Sequence, residues 1–185
     1  MPSATRDLPS LWQNFLSEVD RRLPEPVEVH CLGGFVVTLL YGLTRSTNDV
    51  DYIEIRPAGA GEILEAIAGP ASELSRKHGL HFQHVTVASV PEAYTERLAE
   101  PFRGRFGNLR LLVVEAHDLA LSKLVRNSPV DRFDVAHLAK TAPLNPEVLQ
   151  TRYRRELRPG SLLGDPGTHD RTLQMWIESY FQPHR

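Results

Sequence analysis

A single cysteine, Cys31, serves the whole 185-residue chain. No intramolecular disulfide can form, and no cysteine-based metal centre is expected. Cys31 lies in an apolar run, so it reads as a small buried side chain and not as a nucleophile. There is no uninterrupted apolar stretch of the roughly 18 residues a membrane-spanning helix needs, and no signal-peptide pattern at Met1. The expectation is a cytoplasmic protein with no membrane partner. Positive charge is not in excess: the formal net charge is −2. That excludes the global basic field many nucleic-acid binders carry, and any such contact has to be a local patch. Internal repeats and low-complexity segments are missing too.

What is there is an ordinary globular composition, 41% hydrophobic and 24% charged. The length favours one domain, residues 1–185, large enough to bury a real core. Residues 1–7 are polar. Leu11, Phe15, Val19 and Leu23 recur at helical spacing, so 8–23 reads as an amphipathic helix stopped by Pro24 and Pro26. A strand over 27–32, a nearly all-apolar helix over 34–42 and a strand over 49–55 follow. A helix is expected over 61–78, with a break at Gly69-Pro70. Strands are expected over 80–87 and 109–114, with a short helix from Pro91 and an Arg/Gly-rich loop or edge hairpin over 99–108 between them. Helices then dominate, over 117–127, 130–141, 145–157 and 168–181. Strands early and helices late give an α+β fold: a small mixed β-sheet flanked by helices, with a helical C-terminal half.

One stretch organises the rest, CLGGFVVTLLYGLTRSTNDVDYIEI from Cys31 to Ile55. Alternation along a strand points Asp49 and Asp51 the same way. Ile53 and Ile55 should continue that face, while Val50 and Tyr52 face the other way. Two adjacent carboxylates repel unless a cation sits between them. Hard oxygen ligands at this spacing suit Mg²⁺, which keeps waters and takes further ligands from substrate phosphates. Gly33 and Gly34 allow close backbone approach at a helix N-terminus, where N–H groups and the dipole favour an anion.

Gly33-Gly34, Tyr41-Gly42, Arg45, Thr47 and Asp49-Val50-Asp51 resemble the signature of the nucleotidyltransferase superfamily. The resemblance is nearest to the minimal bacterial branch with the AbiEii-type toxins of type IV toxin–antitoxin systems. It spans roughly residues 27–140 and leaves 145–185 as a helical extension. It implies an NTP substrate, Mg²⁺ on Asp49 and Asp51, an acceptor hydroxyl with RNA (a tRNA end) foremost, and a cognate antitoxin as partner. A nucleotide- or RNA-binding relative without turnover, or a small-molecule nucleotidyltransferase, are the alternatives. In the resembling family the loop of Arg45 borders the nucleotide, and a guanidinium fork suits a triphosphate. A salt bridge to Asp49 is the other reading. Thr47 can cap or orient the aspartates.

The run HDLALSKLVRNSPVDRFDVAHL resembles later motifs of that family. Asp131, Val135 and Leu138 fall on one helical stripe, where a carboxylate needs a partner. A Lys/Arg–Asp network between two helices is expected from Lys123, Arg126, Asp131 and Asp134. The resemblance implies that Lys123 touches phosphate or is positioned by Asp131, and that Asp131 or Asp134 is needed for activity. The superfamily's usual third carboxylate has no counterpart in HFQHVTVAS, which leaves Glu115 as the nearby candidate. His81, His84, His117 and His137 show no metal-ligand spacing and read as surface or capping residues. Arg152, Arg154, Arg155 and Arg158, with Arg103, Arg105 and Arg110, offer either a basic face for RNA phosphates or a solvated surface.

Overall fold

The computed structural model describes residues 8–86, 88–160 and 164–181. The polar segment 1–7, the expected strand end at Val87 and part of the Gly/Pro-rich stretch at 159–167 fall outside them. The fold is α+β: a four-stranded mixed sheet with flanking helices and a helical C-terminal region. Contacts divide the chain into two compact units, Met1–Val87 with Leu98–Val113, and Ala88–Arg97 with Val114–Arg185.

The first unit holds the sheet, in the order β3-β2-β1-β4. Its strands are β1 (Val27–Leu32), β2 (Asp49–Arg56), β3 (His81–His84) and β4 (Leu109–Val113). β1 runs antiparallel to β2 and parallel to β4, and β2 runs parallel to β3. Helices α1 (Ser10–Arg22) and α3 (Ala60–Ala68) pack with this sheet, α4 (Glu73–His78) packs on those two helices, and α2 (Gly33–Tyr41) links β1 to β2. The expected break at Gly69-Pro70 separates α3 from α4. Asp20 ties the end of α1 to the start of β4 by accepting the backbone N–H groups of Gly107, Asn108 and Leu109. The segment expected as a loop or edge hairpin meets the sheet through a bridge from Ala99 to Val113 and through the Asn108 carbonyl, which accepts the Val27 N–H.

Two face assignments differ from expectation. The core stripe of α1 is Trp12, Phe15, Leu16 and Val19, while Leu11 is half exposed. Trp12 packs edge-on against Phe35 of α2 with ring centroids 5.0 Å apart, so the large indole takes the inward position. On β2, Val50 and Tyr52 are buried as expected, but Ile55 does not continue the aspartate face. The ladder shifts between His30 and Cys31: Cys31 opposes Tyr52 and His30 opposes Glu54, so Ile53 is bulged. One extra residue reverses the alternation beyond it. Ile55 then opposes the buried Val29, and Glu54 joins Asp51 on the other face.

The second unit is helical. It contains a 3₁₀ turn (Glu92–Arg97), α5 (Ala116–Leu121), α6 (Pro129–Thr141), α7 (Pro146–Arg152), a π-helical turn (Tyr153–Leu157) and α8 (Pro166–Tyr180). The helix expected over 117–127 ends early. After Leu121 the chain tightens into i→i−3 bonds, Lys123 N–H to Ala120 O and Leu124 N–H to Leu121 O. Asn127 then takes a left-handed conformation at φ 44°, a position asparagine tolerates. Leu173 and Trp176 of α8 are buried, as a packing face requires.

Candidate active site

Within the first unit the paired glycines, the loop after α2 and the start of β2 converge. Gly33 opens α2 at φ +75°, a conformation that favours glycine. A Cβ there would lie 2.9 Å from Cγ of Asp51. The absent side chain is therefore what admits the Asp51 carboxylate to the first turn of the helix. A Cβ at Gly34 would lie 2.7 Å from a terminal guanidinium nitrogen of Arg45 and 3.0 Å from the Thr47 hydroxyl. The space over the glycines, read from the sequence as a bare phosphate cradle, thus holds Asp51, Arg45 and Thr47. Thr47 donates a 2.8 Å hydrogen bond to Oδ1 of Asp49, fixing one oxygen of that carboxylate. The first turn of α2 carries no acidic residue and no side-chain cap, so the positive end of its dipole is met by Asp51 from β2.

Asp49 and Asp51 are half-buried and share one face of β2. The register of the parallel pair sets His81 beside Asp49 and Gln83 beside Asp51. Among the described residues no group of three or more His, Cys, Asp or Glu side chains is placed to hold a metal ion. The donor set fits Mg²⁺ nonetheless: two hard carboxylates on one face, with water and phosphate oxygens supplying the remainder of an octahedron.

Lys123, Arg126, Asp131 and Asp134 gather in the second unit. Lys123 is buried and donates to Oδ2 of Asp134 at 2.7 Å, with Oδ1 of Asp131 3.8 Å away. Arg126 grips both oxygens of Asp131, at 2.7 and 2.6 Å. Ser128 caps α6 by accepting the Asp131 N–H, and Asp131 in return accepts the Ser128 N–H and hydroxyl. Burial pushes the Asp131 carboxyl up, but Arg126 and Ser128 outweigh it and hold the group below the usual carboxylate range. Asp131 is thus a capping-box residue and an ion-pair partner at once.

A second buried network in this unit was not legible in the sequence. Asp118, fully buried, accepts from Arg97 Nε at 2.8 Å and from Arg152 at 2.9 Å. Arg97 also binds Glu156 at 2.6 Å, and Arg152 binds Glu115 at 2.5 Å. Glu115 caps α5 and accepts from Nδ1 of His117 at 2.7 Å, while Nε2 of His117 accepts the Asn145 N–H. His117 is thus a buried network member and not the surface or capping residue expected. Burial raises the Glu115 carboxyl, yet His117 and Arg152 bring it down to about 2. The candidate third carboxylate is therefore engaged.

Four of the seven arginines offered as a basic face pair with acids. Besides Arg152, Arg158 forks onto Asp170 at 3.1 Å through two nitrogens. Arg110 contacts Glu28 and Glu100, and Arg103 lies 3.8 Å from Glu100.

A family model described as nucleotidyltransferase of unknown function (DUF6036) matches residues 12–161. No curated protein and no solved structure matches the chain. The match takes in both the aspartate pair and the lysine–aspartate cluster, and the chain belongs to this family of nucleotidyltransferases.

Proposed function

We propose that this nucleotidyltransferase is a Mg²⁺-dependent enzyme that moves a nucleotide from an NTP to an acceptor hydroxyl. The observation that carries the reading is the meeting of Asp49 and Asp51, on one strand face, with the Gly33–Gly34 turn and the Arg45 guanidinium. Asp49 and Asp51 would hold the metal, which supplies charge neutralisation at the triphosphate when bound. Thr47 orients Asp49, and Gly33 lets Asp51 take its place. Arg45 meets phosphate oxygens with a planar fork. The acceptor oxygen forms its bond to the α-phosphorus as the bond to the bridging oxygen breaks. Pyrophosphate leaves, and the hydroxyl proton passes to solvent. Rate enhancement comes chiefly from positioning and electrostatic stabilisation.

RNA, a tRNA end foremost, is the acceptor suggested by the likeness to AbiEii-type toxins, and a toxin role with a cognate antitoxin follows from the same likeness. The acid-paired arginines lend that acceptor no support, and a small-molecule acceptor remains the alternative. Lys123 is assigned to phosphate by the likeness alone. The ion pairs around Asp131 and Asp134 support positioning roles for those two residues. A second reading, nucleotide binding without turnover, is favoured by the neutral Gln83 beside Asp51 and the engagement of Glu115.

The test is incubation with each α-labelled NTP plus total RNA, protein or small-molecule acceptors. Label is expected in one fraction with wild type and in none with Asp51→Asn, whose fold is checked by circular dichroism. Equal labelling by the variant refutes the role of Asp51. NTP binding without pyrophosphate release against every acceptor supports the second reading.

A further inference from the structure

The C-terminal helices border an open cleft of about 520 Å³, within the range of roughly 300–1,000 Å³ common for small-molecule sites. Helix α7 and the π-helical turn form one wall and α8 the other. The backbone of the π-helical turn is widened: the Arg158 N–H bonds the Tyr153 carbonyl at 2.7 Å, an i→i−5 step. Isolated turns of this kind recur at functional sites. The apolar lining is Tyr153, Leu173 and Ile177, the first two buried. The polar lining is pinned in part. Asp170 accepts from the Tyr153 hydroxyl at 2.7 Å and from two nitrogens of Arg158 at 3.1 Å. Burial, and then Asp170, pushes the Tyr153 hydroxyl up to about 12, so it stays a donor at neutral pH. Arg154 is placed differently. It is exposed and forms no ion pair among the described residues, and its terminal nitrogen donates to the neutral amide oxygen of Gln150 at 3.3 Å. Two guanidinium groups, Arg154 and Arg158, against one carboxylate, Asp170, leave the lining with one positive charge in excess.

We propose that this cleft binds a small organic monoanion, a carboxylate carried on an apolar body. The carboxylate meets Arg154, whose planar fork takes both oxygens, and its charge balances the excess guanidinium. The apolar body lies along Tyr153, Leu173 and Ile177, where removal of apolar surface from water supplies affinity. Arg158 is already forked onto Asp170, so it holds the wall in place and leaves Arg154 as the anchor. A phosphomonoester brings a second negative charge that the lining does not match and that Asp170 repels. The site is a second one, and its occupancy does not depend on the chemistry assigned to Asp49 and Asp51.

The experiment is two-dimensional amide NMR of the full chain titrated with four probes: phenylbutyrate, its neutral amide phenylbutyramide, acetate and phenyl phosphate. Phenylbutyrate is expected to shift the resonances of the cleft residues on the π-helical turn and α8 saturably. Loss of the charged hydrogen bonds is expected to make phenylbutyramide about tenfold weaker or more, and Arg154→Gln to weaken phenylbutyrate by a similar factor. Arg171→Gln, which removes an exposed charge from α8 outside the lining, is expected to leave phenylbutyrate affinity unchanged. The dispersion of each variant's spectrum reports that it is folded. Phenylbutyrate without saturable shifts at these residues overturns the proposal. So does phenylbutyramide or acetate binding as tightly as phenylbutyrate, since either the charge or the apolar body would then be idle. Tighter binding of phenyl phosphate overturns the monoanion assignment. An equal loss with Arg171→Gln and Arg154→Gln overturns the site, because the attraction would then be diffuse.

Discussion

Gly33 and Gly34 look equivalent in the sequence and do different work. At Gly33 an added methyl meets both an unfavourable φ of +75° and the Asp51 carboxylate. Positions held in such conformations cost roughly 1–3 kcal/mol when occupied by other residues. Gly33→Ala is expected to lower stability by that order and to abolish transfer, because Asp51 has to move. Denaturant unfolding beside a labelled-NTP assay checks it; undiminished transfer would show that the placement of Asp51 is not needed. At Gly34 the obstructing atoms are the flexible end of Arg45 and the hydroxyl of Thr47. Gly34→Ala is expected to leave unfolding nearly unchanged and, on the proposal that Arg45 meets phosphate, to raise KM for the NTP more than it lowers kcat, since Arg45 is displaced from over the glycines. A kcat-only effect argues against a phosphate contact by Arg45.

Between elements, the stability of the second unit depends on buried charge being matched. Removing Asp134 takes away the 2.7 Å partner of the buried Lys123 side chain and leaves Asp131, 3.8 Å away. Breaking a buried pair typically costs about 3–5 kcal/mol, whereas replacing both partners by apolar groups is often near neutral. Asp134→Ala should therefore destabilise the protein by about that amount, and Lys123→Met/Asp134→Leu should recover most of it. The same pair of variants separates structure from chemistry. A stable double variant that regains transfer shows that Lys123 does not touch phosphate; a stable but inactive one supports the contact.

The Glu115 network gives a pH signature at the same scale. Its carboxyl is lowered from an ordinary 4.5 to about 2 by His117 and Arg152, against the effect of burial. The stabilisation from the lowered value is fully present above about pH 4.5 and is lost as the pH falls towards about 2. Glu115→Gln should flatten the dependence of unfolding free energy on pH in that window. An unaltered slope would show that the network does not persist in solution.

Over the whole molecule, charge is balanced locally as well as in total. The net charge is −2, and Arg103, Arg110, Arg152 and Arg158 each face a carboxylate. Counterion release, the main source of non-specific nucleic-acid affinity, scales with the number of phosphates neutralised by basic groups. Binding of RNA alone at physiological ionic strength is expected to be undetectable by filter retention, with elution from heparin at low salt. Retention with a steep salt dependence would mean that the arginines exchange their acidic partners for phosphate. Among the described residues no helix is long and apolar enough to cross a membrane.

The order of strands and helices, the glycine turn, the paired carboxylates on one strand and the lysine–aspartate run were readable from the sequence because each is carried by neighbours a few residues apart. The strand β1 was placed at Val27–Leu32 and α2 within a residue of its ends for the same reason. Partners distant in the chain were decided by the tertiary structure. It put Trp12 inward and Leu11 outward, and it bulged β2 at Ile53 so that Glu54 and Ile55 exchanged faces. It also set Gln83 beside Asp51, filled the glycine hollow with Arg45, and gave Arg152 and Arg110 acidic partners far away in sequence. A strand's period of two is local, but its register is a choice among whole pairings, and one extra residue reverses every side chain beyond it. Ion pairing likewise depends on which charges folding brings within reach of one another, a property of the packed chain and not of any segment of it.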